Sequence, residues 1–351
     1  MKNSMPSAPH RLEPLDWLRG LMALSIMLYH LGGKDNAASL LGRLGIYGVS
    51  IFFILSGLSM AIAYGRYIDD LKSAGAFWIR RLFRIWPLLW LAVALVAIPA
   101  FFAGHPYSES MIALNLTTLF GFVAPEKYIN QGAWSIGNEM VYYLLTPALI
   151  PIFRRSLVVG NLLTVLSTLL ACMFAFRLLN PAVSLSEQWG IYINPMNNLF
   201  LYCAGIALYY NFSALSVPSA WSVPLLGLAL LGFAFYPASG DQISLVVGIN
   251  RIAMSMISIF IVFVFFKCPM ALPRWLNLSL ERLGVATYGV YLLHPIVAEA
   301  VRHALEAAGL FTPHVFAALV ILISIAVALL VFNVFELPLI RLGKRATTRA
   351  A

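Results

Sequence analysis

"LDWLRGLMALSIMLYHLGG", residues 15–33, is apolar enough to cross a bilayer as a helix, yet it holds an arginine at 19 and a histidine at 30. Ionisable groups are expensive in hydrocarbon, and there they pair with one another, reach a polar surface or do chemistry. The eleven-residue spacing at 100° per step falls about 20° short of three full turns, so the two side chains share one helix face, about 16 Å apart along the axis. Two accounts fit this stretch alone. In one, Arg19 snorkels to the headgroups and His30 caps the opposite end next to Gly32 and Gly33. In the other, the pair marks the two ends of a site. Asp16, one turn before Arg19, stands where it can pair with it.

The surroundings repeat the pattern. Of 351 residues, 61% are hydrophobic and 11% charged, and the mean hydropathy is +0.86, outside the range of soluble domains. The fold class that follows is an all-α polytopic membrane protein with about ten transmembrane helices. The expected spans are 14–33, 45–65, 83–104, 134–153, 156–179, 190–211, 220–237, 245–267, 282–303 and 315–338. The stretch 108–122, "SESMIALNLTTLFGF", is too short to cross and reads as an interfacial or re-entrant helix. With the N-terminus inside, only Lys34, Arg43, Lys127, Arg177, Arg251 and Arg302 of the 23 Lys and Arg fall outside. That bias places both termini in the cytoplasm and makes the net charge of +9 a topology signal rather than a nucleic-acid surface. The expected organisation is a cytoplasmic segment 1–13, a membrane domain 14–340 and a basic tail 341–351. The first span is long, contains Arg19 and lacks a small-residue cleavage site, so it stays in the protein. Cys172, Cys203 and Cys268 have neither disulfide-framework nor metal-ligand spacing and read as packing residues, with no metal site expected.

Three further stretches carry polar groups into apolar context. "FWIRRLFRIWP" (77–87) puts Arg81 and Arg84 on one helix face with Arg80 beside them, and three arginines in five residues suit either the positive-inside bias or the phosphates of a cytoplasmic ligand. "WSIGNEMVYYLLTP" (134–147) carries Glu139 into a span. Its expected partner is His30, whose tautomer and basicity a carboxylate would set, with a structural pairing to Arg43 or Arg177 as the other reading. "TYGVYLLHPI" (287–296) sets Tyr288, Tyr291 and His294 at i, i+3 and i+6, a polar stripe that serves either helix packing or catalysis.

Taken together these blocks resemble the acyltransferase-3 family of integral membrane O-acyltransferases, along nearly the whole chain. "LDWLRGLMALSIMLYH" keeps the family's Arg, ten residues, His, with Trp17 where glycine is usual. "GVSIFFILSGLSMA" (48–61) matches the second block with Ser50 where many members have an acid, "RRLFRIWP" carries Arg-x-x-Arg, "WSIGNE" resembles Trp-Ser-x-x-x-Glu, and "TYGVYLLHP" resembles Tyr-x-x-Tyr-x-x-His. The resemblance implies a bacterial multi-pass protein of the cytoplasmic membrane that moves an acyl group, by family habit acetyl, from cytoplasmic acyl-CoA to a hydroxyl. The acceptor is a carbohydrate such as exopolysaccharide or lipopolysaccharide, or a small secondary metabolite.

On that reading Arg19, Arg81 and Arg84 hold the donor's phosphates and His30 is the base, oriented by Glu139, with Tyr291 or His294 stabilising the oxyanion. Acyl transfer through an acyl-imidazole on His30, with ping-pong kinetics, is the other course. Loss of His30 or Glu139 is expected to abolish transfer with little change in donor affinity, and loss of Arg84 to weaken donor binding. A proton-coupled transporter uses the same residue types, but no inverted repeat is visible. Some relatives carry a soluble domain after the membrane module. The short basic tail here suggests a stand-alone module, which leaves room for a separate extracytoplasmic partner.

Overall fold

The computed structural model describes residues 12–32 and 36–348, and the described residues are helical with no strand. Lys2, Arg11, Lys34 and Arg349, used in the charge count, the segment before Leu12 and the end of the basic tail lie outside them. In chain order the helices are α1 Glu13–Gly32, α2 Leu40–Tyr64, α3 Leu71–Phe102, α4 Glu109–Thr117, α5 Phe120–Val123, α6 Ala133–Arg155, α7 Leu157–Met173, α8 Trp189–Tyr192 and α9 Pro195–Phe212. They continue as α10 Ser222–Ala234, α11 Ile243–Val246, α12 Gly248–Lys267, α13 Arg274–Val285, α14 Thr287–Ala307, α15 Pro313–Val331 and α16 Leu337–Thr348. Wider π turns, Phe174–Leu178 and Phe332–Glu336, continue α7 and join α15 to α16.

Each expected span coincides with a helix, and the chain is a multi-pass membrane protein. Six helical segments are long and apolar enough to cross: α2, α3, α6, α7 with its π turn, α12, and α15 through α16. Counting α13 with α14 as one span bent by 70° makes seven. The helices on 14–33, 190–211 and 220–237 miss that threshold for evident reasons. Helix α1 carries Glu13, Asp16 and Arg19, α9 opens on two asparagines, and α10 has 13 residues, about 20 Å of rise against a core of about 30 Å. The stretch 108–122 is two short helices, α4 and α5, broken by Thr118 at φ 60°. Trp90 Nε1 donates to the Leu116 carbonyl at 2.7 Å and ties the pair to α3. Residues 341–348, expected as tail, belong to α16, which packs on α3: a Cβ on Gly343 would lie 2.7 Å from Phe83, and Arg80 donates to Thr347 at 2.8 Å.

Side-chain caps start the helices where the sequence breaks. Ser39 caps α2, Ser156 caps α7, Thr312 caps α15, and Asp70 with Ser73 forms a reciprocal capping box on α3. At the centre α2 crosses α9 through small residues that admit backbone to backbone. A Cβ on Gly57 would lie 2.0 Å from the Tyr202 carbonyl oxygen, and one on Gly205 2.0 Å from that of Ile54. Backbone cannot step aside as a side chain does, so Gly205→Val is expected to destabilise the bundle by about 3 kcal/mol or more. Thermal unfolding of the purified protein in detergent checks this; an unchanged midpoint would mean that α2 and α9 can part at the crossing without loss of stability.

Helix α1 is held at both ends. Trp17, standing where glycine is usual, donates its indole N–H to Asn277 Oδ1 at 2.8 Å, and Gly20 lies against Gly284, fixing α1 on α13. At the far end Tyr29 exchanges hydrogen bonds with Gln242. Arg19 and His30 are thereby set at opposite ends of one rigid rod.

Candidate active site

A cavity of about 460 Å³ opens among α1, α2, α3, α6, α14 and α16. Arg19, Arg81, Arg84 and Lys344 supply its positive charge, against the carboxylates Asp16 and Glu139 in the same lining. The three arginines singled out in sequence converge here from α1 and α3. Each is already engaged. Arg19 pairs with Asp16 at 2.7 Å, as its spacing suggested, and also donates to Ser59. Arg81 donates to the Tyr64 hydroxyl at 3.1 Å and lies over the rings of Tyr64 and Tyr143. Arg84 pairs with Glu336 at 2.6 Å and covers the Tyr288 ring. Arg80 points to Thr347 and takes no part in the lining.

Glu336 is 2% exposed and only one of its carboxylate oxygens is satisfied. It lies in the π turn between α15 and α16, a widening of the helix that is frequent at functional positions. Its sequence signal was present, a lone carboxylate in the apolar run "VFNVFELP" (331–338), but no motif drew attention to it.

His30 and His294 meet where α1 and α14 approach, with His30 Nδ1 and His294 Nε2 2.8 Å apart and the rings nearly parallel. His294 is buried, and its Nδ1 lies 3.0 Å from the Val290 carbonyl. A carbonyl only accepts, so His294 Nδ1 carries the proton and the lone pair of its Nε2 faces His30. Between neutral rings, His30 Nδ1 is then the donor of the shared bond and His30 Nε2 is left with a lone pair. His30 is exposed at its end of α1, so that nitrogen belongs to an accessible ring.

This geometry corrects two expectations. Glu139 does not reach His30; His294 is the imidazole's partner. Glu139 faces the arginine cavity instead, with Ser56, Tyr143 and Arg81 about its carboxylate. Of its two other candidate partners, Arg43 is buried and spends its donors on the carbonyls of Ala37, Ala38, Phe233 and Ala234, and Arg177 is exposed in the π turn that continues α7. Tyr291 is engaged as well, donating to the Gly132 carbonyl at 3.0 Å beside Ser135 Oγ at 3.0 Å. The stripe of α14 thus does three separate jobs: Tyr288 ties to the Ile85 carbonyl, Tyr291 to the loop before α6, and His294 to His30. Ser50, where many relatives carry an acid, is buried in α2 and lies off the cavity.

A helical membrane chain with a cationic cavity and, outside the lining of that cavity, a hydrogen-bonded histidine pair has the parts of a membrane-embedded group-transfer enzyme. Residues 13–333 match the family model of the acyltransferase domain, and the chain belongs to the acyltransferase-3 family. It is 25% identical over 320 residues to the O-acetyltransferase OatA of Staphylococcus aureus, covering 83% of this chain and 51% of that protein, so it spans about half the length of this relative. It is 26% identical over 172 residues to the peptidoglycan O-acetyltransferase OatA of Listeria monocytogenes, covering 44% of this chain and 26% of that one. A third relative, protein 2 in the picA locus of Rhizobium radiobacter, is 38% identical over 159 residues, 38% of this chain and 80% of its own length. No solved structure matches the chain.

Proposed function

We propose that this protein transfers an acyl group, acetyl by family habit, from acyl-CoA on the cytoplasmic side to a hydroxyl of an envelope carbohydrate such as exopolysaccharide, lipopolysaccharide or, like its Listeria relative, peptidoglycan. On the topology expected from the charge bias, about ten spans with both termini inside, the arginine cavity would lie at the cytoplasmic face and His30 toward the outer one. The observation that carries this reading is the hydrogen-bond order Val290 carbonyl, His294, His30, which leaves His30 Nε2 as the unprotonated nitrogen.

The donor's phosphates would rest among Arg19, Arg81, Arg84 and Lys344. His30 Nε2 then accepts the proton of the acceptor hydroxyl as its oxygen attacks the thioester carbon. The carbon–sulfur bond breaks, and the CoA thiolate leaves with the proton that His30 took up. An ester and a free thiol are the products, and the imidazole returns to its starting state. His294 is a positioning residue in this scheme, and a separate extracytoplasmic partner would receive or present the glycan.

The direct test is transfer of labelled acetyl from acetyl-CoA to endogenous glycan in inverted membrane vesicles. Label should move with the wild type and not with His30→Ala. Transfer by the alanine variant at the wild-type rate would remove the mechanism, and failure of acetyl-CoA to label in vesicles that contain acceptor would remove the donor.

A further inference from the structure

Helix α16 forms part of the cavity wall, yet most of its charge lies outside the lining. It starts beside the Glu336–Arg84 pair, and its Thr347 accepts from Arg80 at 2.8 Å, so it runs along α3 toward the start of that helix. Leu337, Ile340 and Lys344 line the cavity, while Gly343 and Thr347 are buried on the α3 side. At 100° per residue, Arg341 and Arg345 stand about 60° and 100° round the helix from Lys344, turned away from Gly343 and Thr347. All three cations are exposed.

Charge inside the cavity is balanced. Arg19 pairs with Asp16, Arg84 pairs with Glu336, and Arg81 lies by Glu139, so three guanidinium groups meet three carboxylates. Arg341, Lys344 and Arg345 have no such counterpart: none makes an ion pair or a side-chain hydrogen bond among the described residues. Arg341 and Arg345 are an i,i+4 pair, and like charges at that spacing repel; Lys344 adds a third within the same five residues. The surplus positive charge of the site therefore stands on α16, and Lys344 is about 12 Å of helix beyond Glu336. Positive-inside bias and lipid headgroups account for basic residues anywhere at such a surface. They do not account for a run whose inner member lines the cavity.

We propose that Arg341, Lys344 and Arg345 bind the donor phosphate furthest from the thioester, the 3′-phosphate on the ribose of CoA, and so select CoA over its dephosphorylated form. This subsite rests on acyl-CoA as the donor. A polyanion with phosphates at two depths fits the arrangement. Its diphosphate enters beside the arginines, where it must compete with their carboxylates. Its terminal phosphomonoester, with a charge of about −1.5 to −2 at pH 7, stays on α16, where nothing competes.

The experiment titrates CoA and 3′-dephospho-CoA into the full-length protein in neutral detergent by calorimetry, and repeats both with the double variant Arg341→Gln, Arg345→Gln. Wild type should bind CoA about tenfold more tightly than dephospho-CoA, the scale of one charge-assisted hydrogen bond. The double variant should lose most of that ratio through weaker binding of CoA, while its affinity for dephospho-CoA stays close to wild type. Both arginines are exposed, so its unfolding midpoint should hardly move. Equal affinity of the wild type for the two nucleotides would overturn the subsite and leave the donor assignment standing. Binding of neither would remove the donor and the subsite together. Binding of CoA at the expected ratio without acetyl transfer would uphold the subsite and remove the reaction. An unchanged ratio in the double variant would also overturn it, and loss of co-purifying phosphatidylglycerol from that variant, weighed by native mass spectrometry, would then give the cations to headgroups.

Discussion

Alanine at His30 is expected to lower kcat for acyl transfer by about 10²- to 10⁴-fold, the range over which a positioned general base acts, with the donor's KM unchanged. His294→Ala should lower kcat by about 10- to 100-fold, the scale on which losing the group that orients an imidazole is felt. The difference follows from the hydrogen-bond order: in the proposed mechanism His30 takes the acceptor's proton, whereas His294 fixes which nitrogen of His30 carries the proton. Glutamine at 294 can accept from His30 through its carbonyl oxygen and should recover part of the loss. Steady-state kinetics in vesicles at saturating donor separates the variants. If His294→Gln were as inactive as His30→Ala, His294 would itself handle the reacting atoms, and its assignment as a positioning residue would be wrong.

Much of the helical architecture is legible in the sequence, because apolar length and capping residues are local signals. Ten apolar segments coincide with helices, and the break in 108–122 lies where the run is too short to cross. The cationic cavity is legible too, since Arg19 and the Arg81–Arg84 face need only one helical period each. The pairings across helices are not. Glu139 and His30 are both polar groups in apolar helices, and sequence has no measure of which face of α6 turns to which neighbour. The structure gives His30 the stripe of α14 and gives Glu139 the arginines of α3. Arg251 illustrates the same limit from the other side. As one more basic residue near a helix end it served the charge count, while its burial beneath three rings depends on α2, α8 and α9 together.

Arg84→Ala is expected to do two things at once, and only a double variant separates them. Arg84 is the partner of Glu336, whose carboxylate is buried with one oxygen already unsatisfied. Removing the arginine strands that charge, and breaking a buried pair from one side costs about 3–5 kcal/mol. The single variant should therefore show a much lower unfolding midpoint in detergent as well as a raised donor KM. Arg84→Met with Glu336→Leu removes both charges while keeping apolar volume, and such exchanges are often neutral in stability. Its midpoint should return toward wild type while donor KM stays raised, because the phosphate contact is still missing. Glu336→Leu alone frees the guanidinium from its ion pair and should leave donor binding intact or tighter. A wild-type KM in the double variant would mean that Arg84 serves the fold alone and that the donor rests on Arg19, Arg81 and Lys344. An unchanged midpoint in Arg84→Ala would mean that Glu336 finds another partner once α16 shifts.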